Sequence, residues 1–166
     1  MTSPLLRRPA PVGADASVTR PELDALVDLA RSRRARRVAI GSGRTARSLT
    51  FVDEFVSLWE TTGGEFADAI TWPETAASWL RQATRFATAD ADLWIMTGPA
   101  AGWAQMTRRL LWSTEWRPEH ALVTATIGNL ETLSLVGLQN LTGLAGASAH
   151  GLQWTVREGH LTTDER

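Results

Sequence analysis

The sequence predicts a three-layer α/β/α sandwich built on a mostly parallel sheet of four or five strands, with a C-terminal β-hairpin or edge strand. The first observation is an alternation, in which four segments of strand length are each followed by a segment of helical periodicity. The second is the continuously apolar segment 93–96, which is typical of a strand covered on both faces. The third is size, because 166 residues with 43% hydrophobic side chains suffice for one core. Residues 1–18 are expected to form a disordered leader and residues 19–166 a single α/β domain.

The first helix is predicted to begin at Thr19. Thr19 and Glu22 have the spacing of a capping box, and a proline lies in the first turn. Apolar residues then recur at helical spacing over 23–30. The arginine run 31–37 suits the negative pole of a helix C-terminus, and a short strand is predicted at 38–40.

The second helix and the second strand follow from glycines and apolar spacing. Segment 41–45 interrupts the apolar pattern, and apolar residues then share one helical face over 49–59. Gly63-Gly64 ends this helix, and 66–72 is predicted to be a strand. A second Thr-x-Pro-Glu sequence at 71–74 predicts the start of a third helix, which extends to Ala87.

The C-terminal half continues the alternation. After the strand at 93–96, apolar spacing predicts a helix over 103–113 and then a β-branched strand over 121–127. A weaker helix extends to about Leu138, and period-2 alternation at 152–156 predicts the hairpin or edge strand. The order of a helix, four βα units and a short β region is that of a Rossmann-like or flavodoxin-like sheet.

Composition excludes several classes of chemistry. The chain has no cysteine, so thiolate catalysis, disulfides and cysteine-based metal sites are excluded. It is also lysine-free, which excludes a Schiff-base lysine and a Walker-type phosphate loop. No apolar run reaches the length of a membrane span, so membrane insertion is not expected. The net charge of −1 does not favour nucleic acid as a partner. The leader has no apolar stretch typical of a signal peptide, so a cytoplasmic protein is expected.

From Val38 to about Leu161 the chain resembles one lobe of the type 1 periplasmic-binding-protein family, the substrate-binding proteins of branched-chain amino acid transporters. The resemblance is carried by the strand at 38–40 with its small-residue loop, the helix of the form Ser48-Leu49-x-x-x-Asp53-x-Phe55 with its Gly63-Gly64 stop, Ile70-Thr71-Trp72-Pro73, and Ala91-Asp92-Leu93-Trp94-Ile95-Met96 followed by Gly98. Proteins of this family have two such lobes around a ligand cleft. The resemblance implies a half-clamshell, a piece of a longer protein, or a lobe that dimerises to recreate a cleft.

Ligands of open parallel sheets bind beyond the C-terminal ends of the strands, near the point where the strand order reverses. This rule selects the four segments that follow the predicted strands. The expected ligand-binding residues are Ser42, Gly43, Arg44, Thr45, Glu74, Thr97, Gly98, Thr126, Gly128 and Asn129. No catalytic residue, metal ligand or cofactor is predicted.

The segment Ser42-Gly43-Arg44-Thr45 has two interpretations. Its glycine and hydroxyl groups lie just before a helix N-terminus, where unpaired N–H groups favour a carboxylate or phosphate, and Arg44 could bind such an anion in bidentate fashion. Alternatively, the segment is a tight turn in which Ser42 or Thr45 caps the helix.

The predicted function is binding or sensing of a small amino-acid-like or anionic solute without catalysis, with a homodimer as a further expectation. One alternative is a flavodoxin-like enzyme that binds a flavin or a nucleotide, with Trp72 or Trp116 as exposed stacking residues among the eight tryptophans. Another is a protein-interaction module in which exposed tryptophans and the arginine run face a partner. The run could also contact nucleic acid phosphates, although it lacks interleaved aromatic residues.

Overall fold

The computed structural model describes residues 17–164, in which seven strands form one sheet. The order across the sheet is β2-β1-β3-β4-β5-β6-β7. Strands β1 to β5 run parallel, and β6 and β7 add to β5 in antiparallel fashion. The strands are β1 (Arg37–Ser42), β2 (Glu65–Thr71), β3 (Leu93–Thr97), β4 (Ala121–Val123), β5 (Ala145–Ala147), β6 (Gln153–Arg157) and β7 (His160–Thr163).

Within the described part of the chain, five α-helices cover the two faces of this sheet, as the three-layer prediction requires. They are α1 (Arg20–Ser32), α2 (Ala46–Thr61), α3 (Leu80–Ala87), α4 (Ala100–Ser113) and α5 (Leu130–Ser134). Helices α1 and α2 bury Leu26 and Phe55 against Val38 and Ile40 of β1. The intervening Ala39 faces the opposite core, which contains side chains of α3, α4 and α5. This alternation follows from the period of two in a strand with two buried faces.

The predicted ends of the first two helices are confirmed. Thr19 is the N-cap of α1, and its hydroxyl accepts a hydrogen bond from the backbone N–H of Glu22 at 3.3 Å. Helix α2 ends just before Gly63, which has a φ of +89°. A Cβ on Gly64 would lie 2.1 Å from the Trp59 ring, so the second glycine is needed for packing.

The start of the third helix was predicted wrongly. The N–H of Trp72 donates to the carbonyl of Ser42, which keeps the chain extended beyond β2. The Trp79 indole then donates to the carbonyl of Pro73, and α3 begins only at Leu80. Residues 72–79 therefore form a loop, and the tryptophans at its two ends, Trp72 and Trp79, are buried in the core.

Two further differences concern the sheet. Strand β5 was not among the predicted segments, but the five parallel strands with the antiparallel hairpin of β6 and β7 agree with the predicted sheet. The predicted strand 121–127 stops at Val123, because Thr124 begins a turn in which its carbonyl accepts from the N–H groups of Ile127 and Gly128. The predicted leader falls almost entirely outside the described residues. Within residues 17–164, no helix has the length and apolarity needed to cross a bilayer.

Candidate functional site

The strand order reverses between β1 and β3, whose C-terminal ends lie side by side. The backbone N–H of Gly43 donates to the carbonyl of Thr97 at 3.1 Å. A Cβ on Gly98, whose φ is +140°, would lie 2.8 Å from the Gly43 nitrogen. The glycines Gly43 and Gly98 therefore let these two loops contact each other, instead of leaving room for a ligand between them.

A narrow crevice with a cavity volume of about 30 Å³ opens beside this contact, above the ends of β3 and β4. Its walls come from the start of α1, the first turns of α2 and the loops after β3 and β4. The crevice is lined by Val18, Glu22, Thr45, Arg47, Ser48, Phe51, Thr97, Gly98, Thr124 and Thr126. We call it the switch-point crevice.

Three threonine hydroxyls form a chain along one wall of the switch-point crevice. Oγ1 of Thr97 lies 2.9 Å from Oγ1 of Thr124, which lies 2.9 Å from Oγ1 of Thr126. Thr97 and Thr124 are buried, and Thr126 is partly exposed. Two hydrogen bonds among three hydroxyls use two of the three protons, so the three hydroxyls together retain one donor for a further acceptor.

The N-terminus of α2 forms the facing wall. Thr45 is the N-cap residue, and its hydroxyl accepts from the Ser48 backbone N–H at 3.1 Å. The Thr45 and Ser48 hydroxyls are 2.7 Å apart. The capping interpretation of Thr45 is therefore correct, and the positive pole of α2 lies at this wall of the crevice. Arg47 of the same turn also lines the crevice.

Among the residues that the structure describes, Glu22 is the one acidic side chain of the crevice lining, and it is only 3% exposed. Its carboxylate accepts a 2.6 Å hydrogen bond from the backbone N–H of Ala125. Burial raises the pKa of Glu22 above its ordinary value, although hydrogen bonds from the Ala125 and Thr19 backbones oppose this shift. The side chain thereby joins α1 to the loop after β4.

Several predicted residues lie near the sheet edge but outside the crevice lining. Ser42 is buried at the end of β1. Arg44 is exposed, and its Nε donates to the Thr71 hydroxyl at 3.2 Å, towards the end of β2. Arg44 is therefore on the β2 side of the edge, outside the crevice lining.

Glu74 has a structural contact instead of a place in the crevice. Its Oε2 accepts from the backbone N–H of Gly102 at 2.8 Å, in the first turn of α4. Pro99, the N-cap residue of α4, has no side-chain acceptor, so Glu74 supplies the cap from a distant loop. Burial raises the pKa of Glu74, and the Gly102 hydrogen bond opposes this shift.

Gly128 and Asn129 also have structural contacts. The Asn129 side chain accepts from the Thr132 N–H at 2.9 Å and caps α5. A Cβ on Gly128 would lie 2.4 Å from the Trp154 ring. Of the predicted residues, the crevice lining brings together Thr45, Thr97, Gly98 and Thr126.

Sequence reasoning missed Glu22, Arg47, Ser48 and Thr124 as lining residues. Thr124 directly follows β4. Because the predicted strand extends to residue 127, the prediction places the candidate residues near that end and omits Thr124. Glu22 has a clear signal as a capping-box residue, and that signal gives no hint of a contact 103 residues away.

The predicted stacking tryptophans are both buried, so this expectation is wrong. Trp72 is 0% exposed and Trp116 is 6% exposed, whereas Trp112 at the end of α4 is 62% exposed. The three histidines are all exposed and lie outside the crevice lining. Within the described part of the chain, no group of three or more acidic or histidine side chains converges as a metal site.

Comparisons with known proteins extend this description. No protein family and no curated protein matches the sequence. Solved structures do match the fold. A substrate-binding periplasmic protein from Ralstonia solanacearum has a TM-score of 0.67 at 14% identity, over 80% of this chain and 37% of that one. An extracellular ligand-binding receptor from Rhodopseudomonas palustris has a TM-score of 0.66 at 15% identity, over 85% and 40%. A periplasmic ligand-binding protein of a branched-chain amino acid ABC transporter from Burkholderia xenovorans has a TM-score of 0.58 at 13% identity, over 75% and 33%.

These matches confirm that the chain has the fold of one lobe of a type 1 periplasmic binding protein. The match covers between 33% and 40% of the length of these three solved proteins. The expectation of a cytoplasmic protein is contradicted, because the solved proteins that share this lobe are described as periplasmic or extracellular.

Proposed function

We propose that this chain is a ligand-binding lobe that holds a small polar solute in the switch-point crevice without catalysing a reaction on it. The observation that carries the proposal is the hydroxyl chain of Thr97, Thr124 and Thr126, which faces the capped N-terminus of α2. Hydroxyls supplied by separate strand ends and a helix pole are suited to orient a solute that has hydrogen-bond acceptors.

The charges of the crevice favour an amino-acid-like solute. The positive pole of α2 favours a carboxylate, and the Glu22 carboxylate favours an ammonium group. An ammonium next to Glu22 would offset the burial cost of its charged form. Phe51 and Val18 add an apolar surface for the side chain of such a solute.

The solved proteins with this lobe include a branched-chain amino acid transporter's ligand-binding protein, which supports the same solute class. The crevice of this chain is open to solvent, so a second body would be needed to enclose the solute. We expect that body to be a second lobe or a second copy of this chain, which makes a homodimer part of the proposal.

A thermal-shift screen against the protein amino acids and small carboxylates tests the proposal. A solute present at one hundred times its Kd stabilises the fold by about 2.7 kcal/mol. For a chain of this size that corresponds to a rise in Tm of roughly 5–10 °C.

Matched variants separate binding in the crevice from binding elsewhere. Thr126→Val removes the most exposed of the three threonine hydroxyls, and we expect this variant to show a smaller ligand-induced rise in Tm. Arg44→Gln is the control, because Arg44 lies at the same sheet edge and contacts Thr71 outside the crevice lining. Absence of any stabilising solute, or a solute whose effect depends on Arg44 and not on Thr126, would contradict the proposal.

A further inference from the structure

The arginine run 31–37 divides into two groups. Arg33 donates to the carbonyl of Glu119 at 2.6 Å and to that of Gly143 at 3.5 Å, and burial lowers its pKa. Arg37 pairs with Asp90 at 2.5 Å. These two arginines connect the end of α1 and the start of β1 to other segments of the fold.

The other three arginines are exposed around one open concavity of about 450 Å³, at the opposite sheet edge from the switch-point crevice. Among residues 17–164, no side chain forms an ion pair or a hydrogen bond with the guanidinium of Arg31, Arg34 or Arg36. The charge of Arg36 does act on Asp92, whose carboxylate is held by backbone N–H groups and has a lowered pKa. We call this concavity, with Thr62, Gly63 and Glu65 on its other side, the arginine basin.

The backbone at Arg34 is the second observation. Its φ of +58° is in the left-handed region, which glycine or asparagine adopts at lower cost than arginine. The turn after α1 therefore has a long cationic side chain at a position where the backbone favours another residue. Strained positions of this kind often occur at functional sites.

The carbonyls at the helix ends around the basin accept side-chain hydrogen bonds that weaken their repulsion of an anion. Helices α1 and α2 both end here, and bare terminal carbonyls would repel a negative charge. The Ser32 hydroxyl donates to the carbonyl of Leu29, and the Thr62 hydroxyl donates to that of Trp59. The Leu29 carbonyl also accepts from the Arg33 N–H, and the Trp59 carbonyl from those of Thr62 and Gly64, so each hydroxyl adds a further donor to its carbonyl and reduces the repulsion.

We propose that the arginine basin binds a small phosphate-bearing anion. Guanidinium groups match the tetrahedral oxygens of phosphate in bidentate geometry. A nucleic acid fits less well, because Trp59 in the basin is only 2% exposed and offers no stacking surface, and the exposed carboxylate of Glu65 interrupts the positive surface. The basin is a small patch bounded by the ends of α1 and α2, whereas a nucleic acid backbone follows an extended one.

Titration calorimetry of the whole chain with inorganic pyrophosphate tests this proposal. We expect saturable binding that weakens about threefold to tenfold for each of Arg31→Gln and Arg34→Asn. Glu65→Gln should strengthen binding, since it removes the carboxylate from the rim. Arg81→Gln on α3 is the control, because it removes an exposed arginine outside the basin.

Arg34→Asn also separates binding from folding. A purely structural role for Arg34 predicts no effect on pyrophosphate, whereas the proposal predicts weaker binding with a Tm that is unchanged or higher. A second arm uses phosphatidylcholine vesicles with and without phosphatidic acid. Arg34-dependent binding to the acidic vesicles alone would identify a lipid headgroup as the source of the phosphate. Equal loss of binding in the Arg81 variant, tighter binding of random duplex DNA than of pyrophosphate, or no binding in either arm would overturn the proposal.

Discussion

Replacing Gly98 by alanine tests whether the contact between the loops after β1 and β3 supports the fold at the site. Gly98 has a φ of +140°, and an alanine Cβ would lie 2.8 Å from the nitrogen and 3.3 Å from the Cα of Gly43. The obstacle is backbone, which cannot rotate away as a side chain can. The adjacent hydrogen bond from the Gly43 N–H to the Thr97 carbonyl would have to lengthen or shift.

Two costs add in this variant. An L-residue in an unfavourable backbone region costs about 1–3 kcal/mol, and overpacking a tight contact costs about 1–3 kcal/mol more. We therefore expect Gly98→Ala to lower the free energy of unfolding by about 2–6 kcal/mol. This is a large part of the total stability of a typical domain, which is about 5–15 kcal/mol.

Gly63→Ala is the matched control. Gly63 also has a positive φ, of +89°, but an added Cβ would have no atom within 4 Å. This variant has the backbone cost alone, so the difference between the two variants isolates the loop contact. With a urea m-value of about 2 kcal/mol/M, a difference of about 2 kcal/mol separates the two midpoints by about 1 M. If Gly98→Ala is no less stable than Gly63→Ala, the two loops do not support each other as described.

Three further perturbations follow from the contacts of single side chains. Because burial raises the pKa of Glu22, the folded state binds the Glu22 proton more tightly than the unfolded state does. The free energy of unfolding should therefore rise as the pH falls from neutral towards the ordinary pKa of 4.5. Urea titrations at several pH values should show a smaller rise for Glu22→Gln, and equal slopes for the two proteins would contradict this. Glu74→Ala removes the cap at the Gly102 N–H and should destabilise the fold by about 1–2 kcal/mol, whereas Glu74→Gln, which keeps an acceptor, should have less effect in the same assay. Arg33→Met keeps the apolar stem but removes the bonds to two backbone carbonyls, and a loss of about 1–3 kcal/mol is expected in urea unfolding; a change within error would show that these bonds are not maintained in solution.

The helices that could be predicted are those with strong local signals. Thr19 and the glycines at 63 and 64 act on their own helix ends, so spacing alone locates α1 and the end of α2. The second Thr-x-Pro-Glu sequence has the same local signal without a helix. There, burial of Trp72 and the reach of Glu74 to α4 outweigh the local preference of the backbone.

Strand β5 shows what local sequence cannot predict. Its residues, Ala145–Ala147, include no β-branched or aromatic side chain. They form a strand because β4 and β6 pair with them on both sides. A Cβ on Gly146 would lie 2.4 Å from the Val123 carbonyl oxygen, so small residues are required at this position.

The location of the candidate site could be predicted, but its composition could not. The rule for open sheets selects the edge at which the switch-point crevice lies, because it depends only on strand direction and order. Some side chains at this edge make structural contacts outside the crevice. Asn129 caps α5 and Arg44 contacts Thr71, so neither side chain lines the crevice. Glu22 enters through a contact between distant segments, which has no local pattern.

The central claim is that the switch-point crevice binds a small polar solute. An NMR titration of ¹⁵N-labelled protein with the best solute from the thermal screen measures this most directly, because each backbone N–H reports its own surroundings. We predict saturable shifts concentrated at Thr45, Ser48, Thr97 and Thr126, with a common Kd. Shifts confined to the opposite sheet edge, or spread over the surface without saturation, would contradict the account.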